Sequence, residues 1–191
     1  LQPFRELQFD CDWTASTRQA FFLFLKKMKQ ALPDTRLSAT IRLHQYKFPD
    51  KTGVPPVSRG MLMFYNTGDI ESEETVNSII NLQDATKYVQ GAPARYPIPL
   101  DLALPVFSWT LVFREGAFWK IINGLPADVS DTTRFTGMSP DGSHFEVRKA
   151  TFLSGHYLRP GDRLRVEAVS PGLLLETARL AAQVDLAAHV T

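Results

Sequence analysis

Strand-length apolar runs alternating with helix-length periodic segments constrain this chain more than any other feature. Residues 7–9 (LQF) read as a strand. Phe21, Phe24, Leu25, Met28 and Leu32 then recur at spacings of three and four until Pro33, which predicts a helix. Ser16-Thr17-Arg18-Gln19 reads as a capping box at its start. Residues 36–43 (RLSATIRL) alternate as a strand ending at His44, and the proline-rich stretch 47–59 reads as a loop. Residues 60–66 (GMLMFYN) have the apolar run of a strand buried on both faces. Asp69, Glu71, Glu73 and Glu74 then suit a helix start, with Val76, Ile79, Ile80 and Val89 inward and Gly91 as its stop. Residues 100–107 (LDLALPVF) give another buried strand.

After residue 107 the rhythm changes. Residues 109–114 and 117–122 flank Glu115-Gly116 as a β-hairpin. Residues 123–142 are rich in Gly, Pro, Asp and Thr and read as an excursion, and 144–153 as one more strand. Pro160-Gly161-Asp162 turns into a strand over 163–169 (RLRVEAV). Ser170-Pro171 then opens a helix whose apolar face is Leu173, Leu174, Thr177, Leu180, Ala181 and Val184. Five principal strands, three with following helices, predict a parallel α/β sheet.

With 21 basic and 20 acidic residues the chain carries no field to attract nucleic acid. No apolar stretch approaches the roughly 18 residues of a membrane span. Cys11 is the single cysteine, so no internal disulfide forms. There is no glycine-rich phosphate loop, no His-x-x-x-His and no Cys-x-x-Cys, so neither cofactor nor metal is expected. A chain that begins at Leu1 without methionine reads as a processed or truncated product.

The candidate site begins at Phe9-Asp10-Cys11-Asp12-Trp13-Thr14. Period-two alternation sends Asp10, Asp12 and Thr14 to one face, and Phe9, Cys11 and Trp13 to the other, where Cys11 is expected to pack. Two carboxylates on one face where a strand gives way to a helix suit chemistry, since each raises the other's proton affinity. Capping the helix or binding loop amides is the plainer role for both. Trp13, Trp109 and Trp119 are core candidates, but Trp109 follows a strand end where an exposed ring would stack on a sugar face.

Three stretches resemble glycoside hydrolase family 18, the chitinase-like barrels. Asp10-Cys11-Asp12-Trp13 is similar to its fourth-strand Asp-x-Asp-Trp-Glu. Met63-Phe64-Tyr65-Asn66 resembles its sixth-strand Met-x-Tyr-Asp, and residues 102–108 (LALPVFS) resemble its seventh-strand Gly-x-Pro-x-Tyr-Gly. A group of uncharacterised bacterial proteins with chitinase-like barrels is a looser likeness. The resemblance implies the later part, about strands four to eight, of a TIM-type (β/α)8 barrel. A complete barrel takes about 250 residues, so the expectation is a single partial barrel over residues 1–191 with a β-hairpin insertion over 107–155. Its open edges would pair with the missing N-terminal half or with a second copy of the chain. The resemblance also favours a periplasmic or secreted location.

The departures shape the expected function. The proton-donating Glu of the family is replaced by Thr14, the sixth-strand Asp by Asn66 and the seventh-strand Tyr by Phe107. A threonine hydroxyl is no general acid near neutral pH. The expectation is therefore a glycan-binding protein with little or no hydrolase activity, its hydrogen bonds supplied by Asp10, Asp12, Thr14, Tyr65, Asn66 and Glu167 and its stacking surface by Trp109. One alternative is an active glycoside hydrolase with Asp12 or Glu167 as proton donor, and Asp69 and Glu71 also follow the sixth strand. A second is a structural or interaction domain with a relic site. The plainer role for Asp69 and Glu71 is helix-start electrostatics, and for Glu167 a pairing with Arg163, Arg165 or Arg148.

Overall fold

The computed structural model describes residues 4–92, 96–124 and 127–184, and the chain divides into two compact units. The first takes the chain up to Tyr65, then Leu82–Leu104, then the stretch from Glu176. The second takes Asn66–Asn81 and Pro105–Leu175.

The first unit holds β1 (Glu6–Phe9), α1 (Arg18–Ala31), β2 (Arg36–Arg42), α2 (Leu43–Lys47), α3 (Pro49–Thr52), β3 (Arg59–Met63), α4 (Leu82–Val89) and β4 (Leu100–Ala103). Its four strands pair in parallel in chain order, with Leu7 opposite Leu37, Ala39 opposite Gly60 and Leu62 opposite Leu102. The alternation of RLSATIR sorts β2 by face. Leu37 and Ala39 join Leu25 and Val57 in a core against which Phe21 and Met28 of α1 pack. Burying a side chain such as Leu25 contributes about 1.5–3 kcal/mol. Ser38, Thr40 and Arg42 take the opposite face. Gly60 has no room for a side chain: a Cβ there would stand 2.7 Å from Leu100 Cδ2 and 2.8 Å from Ile41 Cγ1.

Several local expectations need correction. No capping box forms at α1, because Thr17 makes no side-chain cap and its Oγ1 accepts the Thr14 N–H at 2.9 Å instead. Cys11 is exposed, since the chain leaves the sheet after Phe9 and the alternation of residues 10–14 is not that of a strand. His44 lies in α2 rather than at a strand end, and Pro49–Thr52 makes a short helical turn inside the expected loop. Among residues 69–91, helix covers only Leu82–Val89.

The second unit opens with the irregular segment 66–81 and continues with β5 (Ser108–Arg114), β6 (Ala117–Asn123), β7 (Phe135–Gly137), β8 (His144–Val147), β9 (Thr151–Leu153), β10 (His156–Leu158) and β11 (Arg163–Ala168). The five-stranded sheet runs β6-β5-β11-β8-β7 with every pairing antiparallel, and β9 and β10 form a separate hairpin. The expected β5–β6 hairpin is present, and its two-residue turn has Glu115 at φ 55° and Gly116 at φ 77°. Positive φ at both positions is what a tight I′ turn between twisted strands requires. One sheet face packs Trp109, Leu111 and Phe113 with Ile79, and with Ile70 of the opening segment. The other packs Val112, Ile122, Phe135, Val147 and Leu164 with Leu158 and Leu153 of the small hairpin. The last helix, α5 (Pro171–Ala181), carries the chain back to the first unit, and Ser170 Oγ caps it by accepting the Leu173 N–H at 3.2 Å.

The chain is therefore not a segment of a (β/α)8 barrel. The expected fifth parallel strand, β11, lies between β5 and β8 and runs antiparallel to both. Residues 144–153 break into β8 and β9, and the strand expected over 100–107 ends at Ala103. The second unit exceeds the insertion expected over 107–155, taking Pro105–Leu175 together with Asn66–Asn81; residues 125 and 126 of that insertion lie outside the described residues. No described helix is long and apolar enough to cross a membrane.

Candidate functional site

The carboxyl ends of β1, β2 and β3 gather ionisable and polar side chains. Thr40, buried on the polar face of β2, donates its hydroxyl to Asp10 Oδ1 at 2.9 Å. Arg42 ends the same strand two residues further on, with Nε donating to Asp12 Oδ1 and Nη2 to Asp12 Oδ2. Both partners of that fork are substantially exposed, and an exposed ion pair contributes only about 0–1 kcal/mol to stability. Its value is positional: it fixes a carboxylate that no longer belongs to a regular strand. Gln8 Nε2 reaches Ser38 Oγ at 3.4 Å, extending the polar face below the site.

The charges act on their neighbours. Hydrogen bonding to Asp12 raises the Arg42 guanidinium above its ordinary value, burial opposing. Burial pushes the Tyr65 phenol up and Asp10 adds to this, while Arg42 pulls the other way. Desolvation, then the Arg42 charge, hold the His44 imidazole below the ordinary histidine value against Asp12. Asp10, Asp12, Arg42, His44 and Tyr65 thus share one electrostatic neighbourhood.

The other sequence candidates fall elsewhere. Thr14 is exposed, and its hydroxyl lies 2.9 Å from Ser16 Oγ and 3.2 Å from Thr17 Oγ1. Trp13 is buried as a core residue, donating its indole N–H to the Thr52 carbonyl at 2.9 Å and stacking on Phe21. Asn66 begins the second unit at φ 56°, a left-handed conformation that asparagine tolerates where the chain swings out of β3.

Trp109 and Glu167 also belong to the second unit, and they pair with each other. Trp109 is 8% exposed and donates its indole N–H to Glu167 Oε2 at 2.8 Å, so it presents no open stacking face. Glu167 is fully buried. It also accepts the Ser78 N–H at 2.7 Å, the Ile79 N–H at 3.1 Å, the Ser78 hydroxyl at 2.9 Å and Arg165 Nε at 2.5 Å. Arg165 in turn donates to the carbonyls of Ser72 and Asp69. The pair fastens the backbone of segment 66–81 to β11, a structural use that occupies both carboxylate oxygens. Asp69 and Glu71 lie in that segment, where Asp69 Oδ1 accepts the Glu71 N–H at 2.8 Å as a turn and not as a helix start.

Sequence reasoning missed Thr40 and Arg42. Their signal was present: Ser38, Thr40 and Arg42 are the polar half of an alternation whose apolar half was legible. Among the described residues no three His, Cys, Asp or Glu side chains are grouped to hold a metal ion. No family model, curated protein or solved structure matches this chain.

Proposed function

We propose that the protein binds a neutral glycan at the carboxyl end of its parallel sheet without hydrolysing it. The observation that carries this reading is the meeting of Asp10, Asp12, Thr40, Arg42 and Tyr65 at the ends of three adjacent parallel strands. Strand carboxyl ends are where parallel α/β sheets hold their ligands. Two carboxylates against one guanidinium disfavour an anionic ligand and suit one rich in hydroxyl donors. The likeness to the chitinase-like family supports the same ligand class, because two of its three stretches, residues 10–13 and 63–66, fall at the ends of β1 and β3. Against turnover stand Thr14 at the position of the family's proton donor and the two-point engagement of Asp12 by Arg42.

Titration calorimetry with chitin oligosaccharides and a panel of other neutral oligosaccharides tests this, alongside an assay for released reducing ends. Binding without product is expected, and Asp10→Ala should weaken it about tenfold or more, the worth of one hydrogen bond to a charged group. Failure of the unmodified protein to bind any neutral oligosaccharide overturns the reading. So does turnover that Asp12→Ala abolishes, which would make Asp12 the proton donor.

A further inference from the structure

The aromatic surface expected at Trp109 lies elsewhere in the second unit. Trp119 is 40% exposed, Phe152 66% and Tyr157 47%. Phe152 and Tyr157 sit directly opposite each other across the β9–β10 hairpin, their ring centroids 5.4 Å apart. The hairpin is fastened from its other face, where Leu158 and Leu153 enter the core, so the outward rings add nothing to that core. Trp119 occupies the irregularity where Val112 pairs with Lys120 but Phe113 pairs with Phe118. Such a bulge re-aims a side chain that regular pairing would have turned elsewhere.

Cations join these rings. The Arg114 guanidinium lies 3.8 Å from the Trp119 ring centre, and its Nη2 reaches the Tyr157 carbonyl at 3.4 Å. Asp162, almost fully buried, grips the same guanidinium at 2.9 and 2.7 Å, which holds the stack in place before any ligand arrives. Lys120 Nζ stands 5.0 Å from the Trp119 ring and 3.0 Å from His156 Nδ1. Residues 114–120 and 148–162 together carry five basic side chains against two acidic ones, in a chain whose charges otherwise nearly cancel.

We propose that Trp119, Phe152 and Tyr157, with Arg114 and Lys120, form a surface for an acidic polysaccharide bearing carboxylate or sulfate groups. The inference rests on the glycan reading above and extends it to a second, differently charged site. Aromatic faces take the flat C–H faces of sugar rings, while the Lys120 ammonium takes the anionic substituents and Arg114, held by Asp162, backs the Trp119 ring and adds to the positive field. Acceptor-rich strand ends suit neutral hydroxyls; this donor-rich surface suits their acidic counterparts.

Affinity electrophoresis of the full chain through polygalacturonate and chondroitin sulfate tests the proposal. Trp119→Ala, and separately Phe152→Ala with Tyr157→Ala, should each weaken retention about tenfold. Because all three rings are exposed, thermal unfolding should confirm that the variants remain folded. Leu23→Ala, an uncharged change at an exposed position of α1 that belongs to neither site, should leave retention unchanged. The proposal fails if neither polysaccharide retards the protein, or if the ring variants are retained like the parent. It fails also if all retention vanishes at about 0.3 M salt, where screening acts within roughly 6 Å and only non-directional charge attraction would have been at work. Tighter binding of an oligothymidine than of either polysaccharide overturns it in favour of single-stranded nucleic acid. Neutral-oligosaccharide binding, measured separately, decides the strand-end reading whatever happens here.

Discussion

Glu167→Gln changes one atom of a buried carboxylate and leaves its shape intact, which makes it a sharp probe of the second unit. Oε2 accepts the amides of Ser78 and Ile79 and the indole of Trp109, so the glutamine oxygen settles there. The new amide NH2 then faces Arg165 Nε, donor against donor, at the position where the carboxylate had accepted a 2.5 Å bond. Arg165 is itself fully buried. Leaving a buried charge without its partner costs about 3–5 kcal/mol, a large share of the 5–15 kcal/mol that typically holds a domain together. Trp109→Phe serves as the control, since it deletes one donor to the carboxylate but preserves the Arg165 pair, at about 1.5–3 kcal/mol. Urea unfolding followed by near-ultraviolet dichroism would measure both losses. Amide exchange at Ser78 and Ile79 would show whether segment 66–81 detaches first. A Glu167→Gln loss below about 1 kcal/mol, or one smaller than that of Trp109→Phe, would refute the claim that the pair fastens the segment.

Three further outcomes are expected. Nuclear magnetic resonance titration should find His44 below the ordinary histidine value, with Asp12→Asn moving it further down and Arg42→Ala moving it up. The unfolded chain therefore binds the proton first, so His44's contribution to stability is complete above the ordinary histidine value of about 6.5 and is lost as pH falls through the lower folded one; a midpoint at or above the ordinary value contradicts this. Gly60→Ala should lower stability by about 1–3 kcal/mol through overpacking against Ile41 and Leu100, and an unchanged thermal midpoint would show that the strands can part without cost. Among the described residues β1 and β4 each pair on one side only, so concentrated protein should self-associate through these edges, and a monodisperse monomer in light scattering would rule that out.

The legible part of this fold was the part governed by short-range rules. The alternation in RLSATIR and the three-and-four spacing of Phe21, Leu25 and Met28 placed β2, α1 and the core between them. Glu115-Gly116 marked its hairpin because a two-residue turn has few solutions. What failed was direction. Period-two alternation does not distinguish parallel from antiparallel pairing, so β11 followed by α5 resembled one more strand–helix repeat while it lies antiparallel to β5 and β8. The acids of segment 66–81 misled for a related reason. Asp69, Glu71, Glu73 and Glu74 suit a helix start locally, yet Glu73 Oε2 takes Arg163 at 2.6 Å and the Glu73 carbonyl lies 2.9 Å from His144 Nε2. Partners some 70 to 90 residues away outweigh a preference worth about 0.3–1 kcal/mol. At the candidate site, Asp10 and Asp12 were singled out from sequence, but their hydrogen-bond partners Thr40 and Arg42 lie on another strand and needed the register of β1 against β2.

Because the two units exchange the chain at residues 65, 81, 104 and 175, neither is contiguous. The ribosome meets this problem first. Ile79 leaves the exit tunnel well before the carboxylate that holds its amide, which follows 88 residues later. At a synthesis rate of about 5–20 residues per second, that interval is roughly 4–18 s. Ile70 and Ile79, which end in the core beside Trp109, have no strand to cover them until β5 and β6 follow, and their segment stays unfastened until β11 supplies Glu167. The nascent chain therefore passes through a window in which a holding chaperone has a defined target, and that window closes when β11 arrives.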